Sequence, residues 1–147
     1  MILFLDFDGV VHPEEAVPTE LFSGRRVLWQ VLRARPDVVV VFSTSWREFR
    51  SQKEMIQLMT RNGGGDLRHR FIGQTPVIPL ARYGEHPHPR EEECWRWLSE
   101  NRRTHTQWLA LDDVAWLFSP NCRNLYRVNH QTGLTDGDVP AILERLA

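Results

Sequence analysis

Short unbroken apolar runs alternate along this chain with longer stretches in which apolar residues recur at three- and four-residue spacing. The short runs predict buried strands and the longer periodic stretches predict helices. The first run, Met1–Leu5, leads straight into Asp6-Phe7-Asp8-Gly9 and predicts a strand ending at Asp6. Val38–Phe42, followed by Ser43-Thr44-Ser45, predicts a second strand, and Trp108–Leu111, followed by Asp112-Asp113, a third. Phe71-Ile72 and Asn124–Val128 predict shorter ones. Helices are predicted over Thr19–Arg35, where Pro36 stops the pattern, and from Trp46 to about Arg61, closed by Asn62 and three glycines. Two more follow at Arg90–Arg103, with Cys94, Trp97 and Leu98 inward, and at Asp138–Leu146, with Asp136 or Asp138 as N-cap. Gln74–Pro89, with prolines at 76, 79, 87 and 89, reads as an irregular loop. Strands alternating with helices predict an α/β fold, a Rossmann-like three-layer domain with a mainly parallel sheet.

Composition narrows this picture without changing it. A chain of 147 residues, 41% apolar and 25% charged, suits one domain with a proper core. A net charge of −1 supplies no global field for nucleic acid or anionic membrane. No apolar run approaches a membrane span, and the acidic start with no basic lead does not read as a signal peptide. Cys94 and Cys122 are isolated, without metal spacing, and are expected to be reduced in a cytoplasmic protein. The basic residues are 17 Arg and a single Lys, Lys53, which matters for any site that needs a cation.

The chemistry gathers at the strand ends. Alternation along a strand puts Asp6 and Asp8 on one side of the backbone, about 7 Å apart. Like charges at that range raise one pKa unless a cation lies between them, and a hard divalent ion such as Mg2+ fits oxygen ligands. Gly9 then permits a sharp turn or a close backbone approach. Ser43, Thr44 and Ser45 place hydroxyls before a predicted helix, whose free N–H groups would also cradle phosphate. The plainer alternatives are an Asx-turn at Asp6–Gly9, a helix cap at Ser45, and a turn at Asp112-Asp113 with Asp113 capping the next segment.

The apolar strand running into Asp6-x-Asp8-Gly9-Val10 resembles the first motif of the haloacid dehalogenase (HAD) superfamily. VVVFSTS (Val39–Ser45) resembles the second, and WLALDD (Trp108–Asp113) the fourth, in family order. Ser-Trp-Arg at 45–47 after a DFDGV start is similar to HAD-like domains of RNA-repair proteins. The resemblance implies a Mg2+-dependent phosphohydrolase working through an aspartyl-phosphate. Asp6 would be the nucleophile and Asp8 the general acid and base. Thr44 and Ser45 would bind phosphate, with Ser43 as the other match to the second motif. Asp112 would ligate the metal with Asp6 and the Asp8 carbonyl, and Asp113 would stand nearby. The family's third motif is usually a Lys, but Lys53 lies two turns into a helix. An Arg must serve; Arg90, which opens a helix, is preferred and Arg82 is the alternative. Arg47 is a further candidate phosphate contact, and Trp46 either stacks on a base or packs in the core. His12 could touch substrate.

The intervals Asp8–Thr44 and Ser45–Arg90 are too short for the folded cap domain common in the superfamily. An open site suits a polynucleotide end, a nucleotide, a protein, or a partner that closes it. A HAD-fold module that holds metal and phosphate for a partner without turnover is the second class. A phospho-receiver domain is a third, which lacks its acceptor Asp and distal Lys here.

Overall fold

The computed structural model describes residues 1–147. Five strands form an all-parallel sheet: β1 (Ile2–Leu5), β2 (Val39–Phe42), β3 (Phe71–Gln74), β4 (Trp108–Asp112) and β5 (Leu125–Arg127), in the order β3-β2-β1-β4-β5. Four helices accompany them: α1 (Arg25–Ala34), α2 (Gln52–Thr60), α3 (Pro89–Glu100) and α4 (Asp138–Leu146). Leu3 and Leu5 of β1, with Val40, Phe42, Leu109 and Leu111, pack on one face against Leu28 and Leu32 of α1, Met55 and Met59 of α2, and Ile142 and Leu146 of α4. Ile2 and Phe4, with Val41 and Ala110, pack on the other against Cys94, Trp97 and Leu98 of α3. β1 is therefore apolar at every position because both of its faces are covered.

The chain builds β1, β2 and β3 in one direction, then crosses back over the sheet to β4 and β5. Parallel crossovers are right-handed, so reversing direction moves the connecting helix to the opposite face, which places α3 alone across the sheet from α1 and α2. The reversal also opens a crevice at the carboxyl end of β1, between β2 and β4, where ligands of open α/β sheets bind. The interval β1–β2 holds only α1 and a short 3-10 turn, and β2–β4 only α2, β3, α3 and short 3-10 turns; neither contains a cap.

Two helix predictions began too early, and a third, Arg90–Arg103, ran past the end of α3 at Glu100. Thr19–Arg35 is regular only from Arg25. Before it lie a 3-10 turn at Pro18–Glu20 and Phe22 in the left-handed region (φ 59°), because the Phe22 ring tucks against Phe7 and its N–H is used by His12. Trp46–Arg61 splits into a 3-10 turn at Ser45–Glu48 and α2, which Ser51 and Glu54 start as a reciprocal capping box. Ser45 is exposed and caps nothing; the Thr44 hydroxyl accepts from Trp46 N at 3.2 Å instead. The N-cap of α4 is Gly137, and Asp138 is its first helical residue, its carboxylate held by Tyr126 Oη (2.7 Å) and Thr135 N (2.8 Å). The proline-rich stretch holds one 3-10 segment, Leu80–Glu85.

Candidate active site

Asp6 follows β1 directly, and its N–H donates to Leu111 O of β4 at 3.1 Å. Asp112 ends β4 and Asp113 follows it. The tight packing of the strands thus brings residues more than a hundred positions apart together: the carboxylates of Asp6, Asp112 and Asp113 offer oxygens within 4.8 Å of one another. Gly9 makes room for this. Its φ is +79°, and a β-carbon there would stand 2.4 Å from Asp113 Oδ2.

Burial and mutual repulsion set the charge state of the three acids. Burial raises the pKa of Asp6, with Arg90 and Thr44 opposing it, and burial followed by the charge on Asp6 raises Asp112 well above the carboxylate range. Asp113 is pushed up to about 6, by burial first and then by Asp6. One Asp112 oxygen accepts from Val114 N at 2.9 Å, but Asp112 Oδ2 and Asp113 Oδ1 are buried without any hydrogen-bond partner. Two orphaned carboxylate oxygens, gathered with the Asp6 carboxylate, fit a hard divalent cation, which would relieve both the desolvation and the repulsion.

Arg90 stands beside this cluster. It is 6% exposed in the first turn of α3, and its charge is attracted by Asp6, Asp112 and Glu93. Its Nε lies 3.2 Å from Glu93 Oε1, yet Nε and Nη1 make no hydrogen bond. Arg82 sits elsewhere, exposed and paired with Glu85 at 3.3 Å. Arg47 does not reach into the site. Its guanidinium is consumed by Ser43 O, Thr44 O, Thr75 O, Pro76 O and Glu93 Oε2, and so clamps the β2 exit to the loop after β3. Glu93 also accepts from Ile78 N at 2.8 Å. Glu93 thus sets Arg47 and faces Arg90, a link that the sequence reading missed.

Asp8 is placed differently from Asp6. Its side chain is half exposed, and each of its oxygens has a donor: His12 Nε2 at 2.8 Å on Oδ1 and Trp46 Nε1 at 2.9 Å on Oδ2. These bonds hold its pKa below the ordinary value, His12 contributing most. The geometry fixes the tautomer of His12. Phe22 N donates to Nδ1 at 3.2 Å, so the ring proton sits on Nε2 and points at Asp8. His12 is buried, packed edge-on to Phe22. The sequence reading has it free to touch substrate, whereas both of its ring nitrogens are taken by Asp8 and Phe22. The partner of His12 lies ten residues away and the partner of Trp46 thirty-eight away, with no periodic signal for either.

This gives a first expectation. Removing the imidazole strands the buried Phe22 N–H and opens a cavity, so His12→Ala should lower stability by about 2 kcal/mol or more. Urea unfolding checks it; an unchanged midpoint would show that the His12 bonds contribute nothing.

Acids at the ends of β1 and β4, on either side of the reversal in strand order, define the class: this is a HAD-like α/β domain. The chain belongs to the family described as the HAD domain in Swiss Army Knife RNA repair proteins, whose model matches residues 2–139. No curated protein and no solved structure matches it.

Proposed function

We propose that this protein is a Mg2+-dependent phosphomonoesterase acting through an aspartyl-phosphate on Asp6, on a phosphate at a polynucleotide end or of a nucleotide. One observation carries the reading. A buried guanidinium with two unpartnered N–H sites, Arg90, stands beside acids with two orphaned oxygens, Asp112 and Asp113. A cation site and an anion site side by side are what a phosphate bridging both requires. The family's description places such domains in RNA repair proteins, which favours a polynucleotide substrate.

An Asp6 oxygen attacks phosphorus in line, and the bond from phosphorus to the leaving oxygen breaks. Asp8, in its protonated form, gives that oxygen its proton. Water then attacks the acyl-phosphate, Asp8 takes its proton, inorganic phosphate departs, and the Asp6 carboxylate is restored. His12 and Trp46 keep Asp8 fixed through both steps. Thr44, Ser45 and Arg90 hold the phosphate oxygens. Asp6, Asp112, Asp113 and the Asp8 carbonyl would hold Mg2+, which neutralises charge on the transferring group. Its free thiols suit a reducing, cytoplasmic setting, and no helix is long and apolar enough to cross a membrane.

The test is hydrolysis of terminally phosphorylated oligonucleotides, nucleotides, sugar phosphates and phosphopeptides, with Mg2+ and with chelator. Phosphate release that stops reversibly on chelation supports the reading; none from any substrate with Mg2+ would refute it.

Metal should also stabilise the fold. Burial and the neighbouring Asp6 push the Asp113 carboxyl up to about 6 in the fold, against an ordinary 3.8. The metal-free fold therefore holds a proton in that window that the unfolded chain has lost, and stability falls as pH rises through it. Above that window Mg2+ should raise the melting temperature, increasingly with concentration. A melting curve indifferent to Mg2+ at neutral pH would remove the metal site.

A further inference from the structure

Beside Asp8 runs a groove of about 280 Å³ that the catalytic chemistry does not use. Trp46 walls it at the Asp8 end, its Nε1 bonded to Asp8 Oδ2. Leu21, Phe22 and Leu58 line it further along, and Arg50 and Arg61 stand at its edge. Leu21 is 43% exposed, and Phe49, tilted against Trp46 at 5.6 Å between ring centroids, is 66% exposed.

The charge around it is one-sided. Arg50 leans on Glu54 at 3.4 Å, and Glu54 also closes the capping box of α2, so that acid is already neutralised. Arg61, Arg25 and Arg26 have no acidic partner. Arg25 reaches Leu58 O at 2.9 Å, and the charges of Arg61 and Arg26 press on it. A groove lined on one side by apolar and aromatic side chains thus opens onto Arg61, with Arg25 and Arg26 beside it and none of the three in an ion pair.

The position decides what the groove holds. If Asp8 protonates the leaving oxygen, the alcohol half of the substrate lies on the Asp8 side, and Trp46 is the next surface it meets. From this geometry we infer that the groove is a leaving-group subsite, taking the terminal nucleoside of a polynucleotide with its base against Trp46 and Phe49 and the next phosphodiester at Arg61, Arg25 and Arg26. Flat aromatic and repeating anion are the two features that the surface complements, and a nucleotide chain carries both. A phosphopeptide carries neither regularly. The inference rests on the proposed phosphatase reading for its orientation.

The test compares wild type, Phe49→Ala and Arg61→Ala, none altered at a residue of the reacting centre. The substrates are an oligoribonucleotide with a terminal phosphate, glycerol phosphate and a phosphoserine peptide, all with Mg2+. Each variant should lose about tenfold in kcat/KM on the oligonucleotide, mostly through KM, and keep wild-type activity on glycerol phosphate. Salt should weaken the oligonucleotide reaction of wild type more than that of Arg61→Ala. Equal losses on both phosphates, no loss on the oligonucleotide, or preference for the peptide would overturn the subsite. Binding of the same oligonucleotide by Asp6→Asn protein, with and without the groove substitutions, separates the two readings. If nothing is hydrolysed but binding falls in the groove variants, the groove stands as a nucleotide-binding site and the phosphatase reading, with the leaving-group role, falls. Binding that is absent, or indifferent to both substitutions, removes the subsite.

Discussion

Asp6→Asn should abolish turnover, by on the order of 10⁴-fold or more, while leaving the fold intact. The substitution replaces one oxygen by an amide nitrogen and changes almost no volume, so the packing of β1 against β2 and β4 is undisturbed. What it removes is the attacking charge. It also takes one negative charge out of the cluster with Asp112 and Asp113, where each carboxylate is held above its ordinary pKa by burial and by its neighbours. In the absence of metal the variant should therefore melt no lower than wild type, and at neutral pH somewhat higher. Lost activity with a retained melting temperature separates a chemical role from a structural one. Activity near that of wild type would end the nucleophile assignment.

Arg90→Ala should lower turnover about 10³-fold, the scale for removing a preorganised donor from developing charge. Stability should fall as well. Arg90 is the cation whose charge offsets Asp6 and Asp112, and it faces Glu93; leaving buried acids without it costs about 3 kcal/mol or more. Arg90→Lys keeps the charge but not the fork, so it should recover most of the stability and only part of the rate. Arg82→Ala, at an exposed residue paired only with Glu85, should change neither. Kinetics and thermal melting of the three variants check this together. A severe defect in Arg82→Ala with a mild one in Arg90→Ala would transfer the role to Arg82.

The frame of the fold could be read directly because buried parallel strands spell themselves as apolar runs. Met1–Leu5, Val38–Phe42 and Trp108–Leu111 become β1, β2 and β4, and the polar residues just beyond them fall in the crevice between neighbouring strands. Arg90 could be placed by the same logic, since it opens the helix that feeds β4. The helix starts were harder. Apolar spacing continued through Phe22 and through Trp46–Phe49, where the backbone turns for tertiary reasons. Ser51-x-x-Glu54 did spell a capping box and would have set the start of α2. The side-chain network was hidden for a different reason. Arg47 meets Glu93 across forty-six positions and Trp46 meets Asp8 across thirty-eight. Such contacts exist only once the sheet order is known, so Arg47 read as a free phosphate ligand when it is spent on carbonyls and Glu93. His12 looked like a loop histidine because nothing in the sequence shows that Phe22 N–H would claim its Nδ1.

The most direct test of the mechanism is to trap the covalent intermediate. Asp8→Asn protein keeps the nucleophile but can neither protonate a leaving alkoxide nor take a proton from the hydrolytic water, so phosphorylated Asp6 should accumulate when it is mixed with Mg2+ and an aryl phosphate that wild type hydrolyses, whose leaving group needs no proton. Intact-mass measurement followed by peptide mapping should find one phosphoryl group on the Met1–His12 segment. It should be labile to hydroxylamine as an acyl-phosphate is, and absent when Asp6→Asn is added to Asp8→Asn. A phosphoryl group on another residue, or turnover by wild type with no adduct on Asp6 in the trapping variant, would contradict the aspartyl-phosphate mechanism.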